Sequence, residues 1–95
     1  MNEMMTADRR DAEDIDRKLR PFWREGRIVR WPARAGRVRL VLKEAVRELP
    51  VGTRIPESEV DTRLAQVWPD YCLLRRELVD GGLLMRKDGI YWRVG

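Results

Sequence analysis

The dipeptide Asp88-Gly89 constrains this chain more than any other feature. It stands between two short apolar-rich runs, Leu83–Lys87 and Ile90–Val94. A two-residue type I′ turn needs positive φ at both central positions, and Asp-Gly tolerates it. The C-terminus is therefore expected to be a β-hairpin. Cross-strand alternation puts Leu83, Met85, Trp92 and Val94 on one face, read as the core face. Leu84, Arg86, Tyr91 and Arg93 fall on the other. An isolated hairpin is marginal in water, so the preceding residues must cover it.

Those residues carry helical periodicity. Val38, Val41, Leu42, Ala45 and Leu49 follow the spacing of one helix face, which predicts a helix over 36–49, stopped by Pro50 and Gly52. Thr53 to Ile55 reads as a short extended piece. A second helix is expected over 57–67, with Val60, Leu64 and Val67 inward. Pro56 suits the first helical position, which would leave Ile55 as a poor cap. Trp68-Pro69 breaks the chain. Asp70 then caps a third helix to about Val79, with Tyr71, Leu74 and Leu78 on one face and Gly81-Gly82 as its stop.

Helix, short strand, helix, helix, hairpin is the order of a winged helix, a helix-turn-helix with a β wing. The expected fold is thus α+β and mainly helical, with residues 21–95 as the winged-helix domain. Residues 1–20 add a flanking helix, capped by Thr6 after a disordered start at 1–5. Its Ala12, Ile15 and Leu19 recur at helical spacing, and Phe22 and Trp23 follow. Glu25-Gly26 reads as a turn, and Ile28 to Trp31 as a short strand. The flanking apolar stripe needs a cover, either the domain itself or a second copy in a homodimer.

Composition removes whole classes of chemistry. The 95 residues include no histidine and one cysteine, Cys72. Histidine-dependent triads and metal sites are excluded, as are an internal disulfide and a thiolate cluster. No glycine-rich phosphate loop is present, and Glu57, Glu59 and Asp61 read as an acidic helix start rather than a catalytic pair. The chain is read as a non-enzyme without a cofactor or metal. The longest apolar run is four residues, Tyr71 to Leu74. A membrane-spanning helix needs about 20. A cytoplasmic protein without membrane contact is expected.

The charge is unevenly placed. Residues 1–20 carry a net −1, residues 41–95 are neutral, and residues 21–40 hold six arginines against Glu25. A localised basic stretch is an electrostatic footprint for a polyanion. Its candidate DNA contacts are Arg24, Arg27, Arg30, Arg34, Arg37 and Arg39. The third helix adds Arg75 and Arg76, and the wing adds Arg86, Lys87 and Arg93. Two bland readings stand beside these. Arg75 and Arg76 could pair with Glu77, Asp80 or the acidic second helix, and the basic stretch could pair with acids at 8–16. Segment 70–80 also lacks Ser, Thr, Asn and Gln, so base readout there would fall to arginine and favour guanine. The four tryptophans read mainly as packing residues, and Cys72 as a small structural thiol.

Several stretches together resemble a known bacterial family. These are Phe22-Trp23-Arg24-Glu25-Gly26-Arg27, Pro32-Ala33-Arg34, Glu57-Ser58-Glu59-Val60-Asp61 and Asp70-Tyr71. Leu74-Arg75-Arg76-Glu77-Leu78-Val79-Asp80 is the most specific, and Gly89-Ile90-Tyr91-Trp92-Arg93 closes the match. Residues 20 to 95 look like domain of unknown function 2087. The resemblance implies a role around bacterial transcription, with members alone or behind a helix-turn-helix domain, and no established activity. Asp61, Trp68 and Pro56 depart from the asparagine, histidine and threonine usual there. The expected function is a small transcription-associated winged helix that binds DNA through arginines. The alternative is a winged helix that docks on a transcription factor, polymerase or its own partner chain without gripping DNA.

Overall fold

The helices Ala35–Ala45, Glu57–Ala65 and Tyr71–Asp80 of this chain carry apolar stripes too narrow to be stable alone, and the fold buries those stripes against one another and a small sheet. The computed structural model describes residues 3–94, with side chains from 11 to 94. The architecture is α+β: four α-helices and two small antiparallel sheets. No described helix is long and apolar enough to cross a membrane.

Helix α1 spans Glu3–Leu19. It begins ahead of Thr6, so Thr6 lies inside the helix and is not its cap; of the start expected to be disordered, residues 3–5 are helical, and residues 1 and 2 lie outside the described residues. Strands β1 (Trp23–Arg24) and β2 (Arg27–Ile28) form a tight hairpin. Its turn holds Glu25 and Gly26 at φ 53° and 77°. Of the strand expected at 28–31, only Ile28 is in a strand, as the end of this hairpin, and residues 29–31 are irregular. Helix α2 (Ala35–Ala45) tightens into a 3-10 turn, Val46–Glu48, before the buried Leu49. Strand β3 (Arg54–Pro56) leads directly into α3 (Glu57–Ala65). Pro56 itself is the N-cap, in extended conformation, and Ile55 stays in the strand. The helix stops two residues before Val67, which is nevertheless buried in the core.

Helix α4 (Tyr71–Asp80) starts where Asp70 accepts the amide of Leu73 at 3.1 Å. It ends in a left-handed Gly82, φ 76°, with the Leu83 amide bonded back to the Leu78 carbonyl at 2.9 Å. Strands β4 (Leu84–Lys87) and β5 (Ile90–Arg93) flank Asp88 and Gly89 at φ 52° and 77°, as a type I′ turn requires. The sheet runs β3-β5-β4.

The hairpin register is the expected one, with Met85 opposite Trp92, but its faces are inverted. Leu84 and Tyr91 are 1% and 0% exposed, whereas Met85 and Val94 are 49% and 52% exposed. The reason is the third strand. Ile55 pairs with Tyr91, and both point into the core beside the helices. Leu83 is buried as expected, yet it precedes the strand, so alternation from Leu83 gives the wrong parity. Trp92 lies on the outer face under the Arg54 guanidinium, 4.4 Å from its ring centre.

One apolar core joins Leu19, Ile28, Val41, Leu42, Val60, Leu64, Leu74, Leu78 and Tyr91 with their buried neighbours. Each fully buried Leu or Val contributes about 1.5–3 kcal/mol. Leu19 anchors α1 to this core, whereas Ala12 and Ile15 of the same stripe are exposed.

Candidate nucleic-acid interface

Helix α4 buries Leu74 and Leu78 and turns Cys72, Arg76 and Asp80 outward. The outward residues recur at four-residue spacing, which places them on one strip. Strand β4 runs beside this strip. Between them lies a cavity of about 440 Å³ lined by Cys72, Arg75, Arg76, Val79, Asp80 and Arg86. Among the described residues, neither Arg76 nor Arg86 forms an ion pair.

Arg75 is different. It turns toward α3, where its Nη1 donates to Asp61 and its Nε lies 3.9 Å from Glu57. Partial burial opposes its charge, but the Asp61 hydrogen bond and the Asp61 and Glu57 charges outweigh this and raise its pKa. Arg75 is therefore withdrawn from the outer strip, as the ion-pair alternative foresaw; Arg76 is not. The acids of α3 are satisfied in the same way, with Glu57 also accepting the Tyr91 hydroxyl and Glu59 pairing with Arg63 at 3.0 Å.

The β1–β2 hairpin brings a second set of charges to the start of α4. The Ile28 amide donates to the Val67 carbonyl at 2.8 Å, docking the hairpin on the α3–α4 turn. Arg24 and Arg27, with Glu25 between them, then line a groove of about 430 Å³ with Ile28, Val29, Trp68 and Pro69. Trp68 packs against Trp31 at 5.8 Å between ring centres, and its buried indole N–H has no hydrogen-bond acceptor among the described residues. The tryptophans at 31 and 68 are packing residues, as expected.

The other predicted contacts separate into two groups. Arg39 donates to the Gly81 carbonyl, holding α2 to the end of α4. Arg93 donates to the Leu49 carbonyl at 3.3 Å. Arg30, Arg34 and Arg37 gather instead with Phe22 at the N-terminus of α2. Lys87 is exposed in the β4–β5 hairpin. Among the described residues, no acid of α1 pairs with the basic stretch: Asp14 pairs with Arg17 and Lys18, and Asp16 with Arg20, just past the helix end; the Asp8 side chain lies outside the described residues. No group of described residues could hold a metal ion.

Sequence reading did not anticipate the Tyr91–Glu57 bond or the Arg54–Trp92 contact. The signal for both was a third strand at 54–56, which places residues 54 and 55 beside 92 and 91.

The fold and these surfaces define a small α+β protein whose unpaired basic side chains border one exposed helix. The chain belongs to the family described as "Uncharacterized protein conserved in bacteria (DUF2087)", whose family model matches residues 27–93. No curated protein and no solved structure matches it.

Proposed function

We propose that this protein is a winged helix that binds duplex DNA and acts in bacterial transcription. The order α2, β3, α3, α4, β4, β5, with β3 against the terminal hairpin, supports the winged-helix reading. Helices α3 and α4 then form the helix-turn-helix, and the β4–β5 hairpin is the wing. The observation that carries the DNA reading is the shared cavity of Arg76 and Arg86, two unpaired cations facing one groove between recognition helix and wing. Arg24 and Arg27 extend the basic border to the start of α4. Phosphate contacts by Arg24, Arg27, Arg86 and Lys87 position the duplex, and Arg76 is placed to read a guanine edge. The test is fluorescence anisotropy with a labelled duplex at low salt. Binding lost in Arg76→Ala/Arg86→Ala supports the reading, and an absence of binding by the natural chain ends it.

A second reading is favoured by the acids of this region. The α4 strip includes Asp80, and the groove of Arg24 and Arg27 includes Glu25. These repel phosphates and suit a basic or mixed protein surface. A winged helix that docks on a transcription protein fits that pattern. In either reading, the exposed part of the α1 stripe is proposed to pair with a second copy in a homodimer.

A further inference from the structure

A cavity of about 250 Å³ opens beside the N-terminus of α2, lined by Phe22, Arg30, Ala33, Arg34 and Arg37. Three of its walls are arginines. None of the three forms an ion pair among the described residues, although Arg17, Arg20, Arg47, Arg63 and Arg75 all do. The Arg30 guanidinium lies over the Phe22 ring, 5.5 Å from its centre, which fixes one cation on the cavity wall. Arg34 is the N-cap residue of α2 and supplies no side-chain acceptor, and the first turn holds no acid. The helix end therefore adds partial positive charge to a place where three cations already meet. Arginines gathered this way repel one another until an anion joins them.

We propose that this cavity is a binding site for a terminal phosphate group close to doubly charged, either free phosphate or the monoester group of a small phosphorylated molecule. Guanidinium forks match pairs of phosphate oxygens, and three of them can engage one tetrahedral group from different sides. A monoester carries a charge of about −1.5 to −2 at neutral pH, against about −1 for a DNA phosphate, so three cations favour the monoester. The cavity is smaller than the ~300–1,000 Å³ typical of pockets that enclose an organic ligand. It suits a phosphoryl group whose remainder extends into solvent. The site shares no residue with the proposed DNA strip, so either can stand without the other.

The experiment is an NMR titration of the full chain with inorganic phosphate and with O-phosphoserine, against sodium chloride at matched ionic strength. Saturable shifts are expected at the amides of residues 33–37 and at the three arginine side chains. Arg34→Ala/Arg37→Ala should weaken binding at least tenfold, and Arg34→Lys/Arg37→Lys should retain part of it, because charge remains while the fork is lost. Arg76→Ala/Arg86→Ala should leave phosphate binding unchanged. Tighter binding of O-phosphoserine than of phosphate assigns the site to a phosphorylated molecule, and the converse order to free phosphate; both support the site. Shifts spread over all exposed arginines, without saturation and unaffected by Arg34→Ala/Arg37→Ala, would overturn it. So would a response of this cluster to a DNA duplex alone.

Discussion

The hydroxyl of Tyr91 donates a 2.7 Å hydrogen bond to the carboxylate of Glu57, 34 residues earlier in the chain. Tyr91 is fully buried on β5, and Glu57 opens α3. The bond ties the C-terminal hairpin to the start of α3. It continues through Glu57 to Arg75 and from Arg75 to Asp61, so one polar chain links β5, α3 and α4. A buried phenol needs such a partner, and the acidic helix start supplies it.

Tyr91→Phe should therefore cost about 1 kcal/mol in urea denaturation. Hydrogen bonds to charged groups contribute about 1.5–3 kcal/mol, and the half-exposed carboxylate of Glu57 lowers that figure. A loss below about 0.3 kcal/mol would mean that water replaces Tyr91 without cost.

The inverted hairpin faces give a paired test. Leu84→Ala should cost about 2–5 kcal/mol, the usual loss for a buried leucine. Met85→Ala should stay within about 0.5 kcal/mol, as at an exposed site. Equal losses at the two positions would contradict the burial seen here.

Adjacent arginines on α4 should behave differently. Arg75→Ala leaves Asp61 without its partner and should lower stability by about 1–3 kcal/mol, less than for a fully buried pair because both side chains keep some contact with water. Arg76→Ala should leave thermal unfolding nearly unchanged. In the DNA reading it should instead cost about 1–3 kcal/mol of discrimination at one guanine.

Salt dependence tests the phosphate contacts. Four to five contacts predict a slope of about −4 for log K against log salt, at about −0.9 each. Arg24→Ala/Arg27→Ala should flatten it by about two units and weaken all sequences alike. A slope that does not change would remove the β1–β2 hairpin from the proposed DNA contacts.

Ile15 is 44% exposed on α1, while Leu19 is buried in the core. Ile15→Asp should convert the expected homodimer to monomer in light scattering without lowering the melting temperature. A natural chain that remains monomeric at high concentration rejects the dimer and leaves α1 as a flanking element.

Local signals carried much of this fold. The Asp88-Gly89 turn, the caps at Asp70 and Gly82, and the stripes of α2, α3 and α4 depend on residues within about one or two helical turns of one another, so they can be read along the chain. The excess of arginine between residues 21 and 40 was equally visible. Long-range pairing settled the rest. Which hairpin face turns inward was decided by β3, whose Ile55 meets Tyr91 across the sheet, because a two-stranded alternation is symmetric until a third strand and the helices choose a side. The fate of each arginine was decided in the same way. Arg75 and Arg76 are neighbours with the same chemistry. The 100° turn between successive helical residues aims one at Asp61 and the other outward into the cavity it shares with Arg86, a difference that exists only once α3, α4 and β4 are packed.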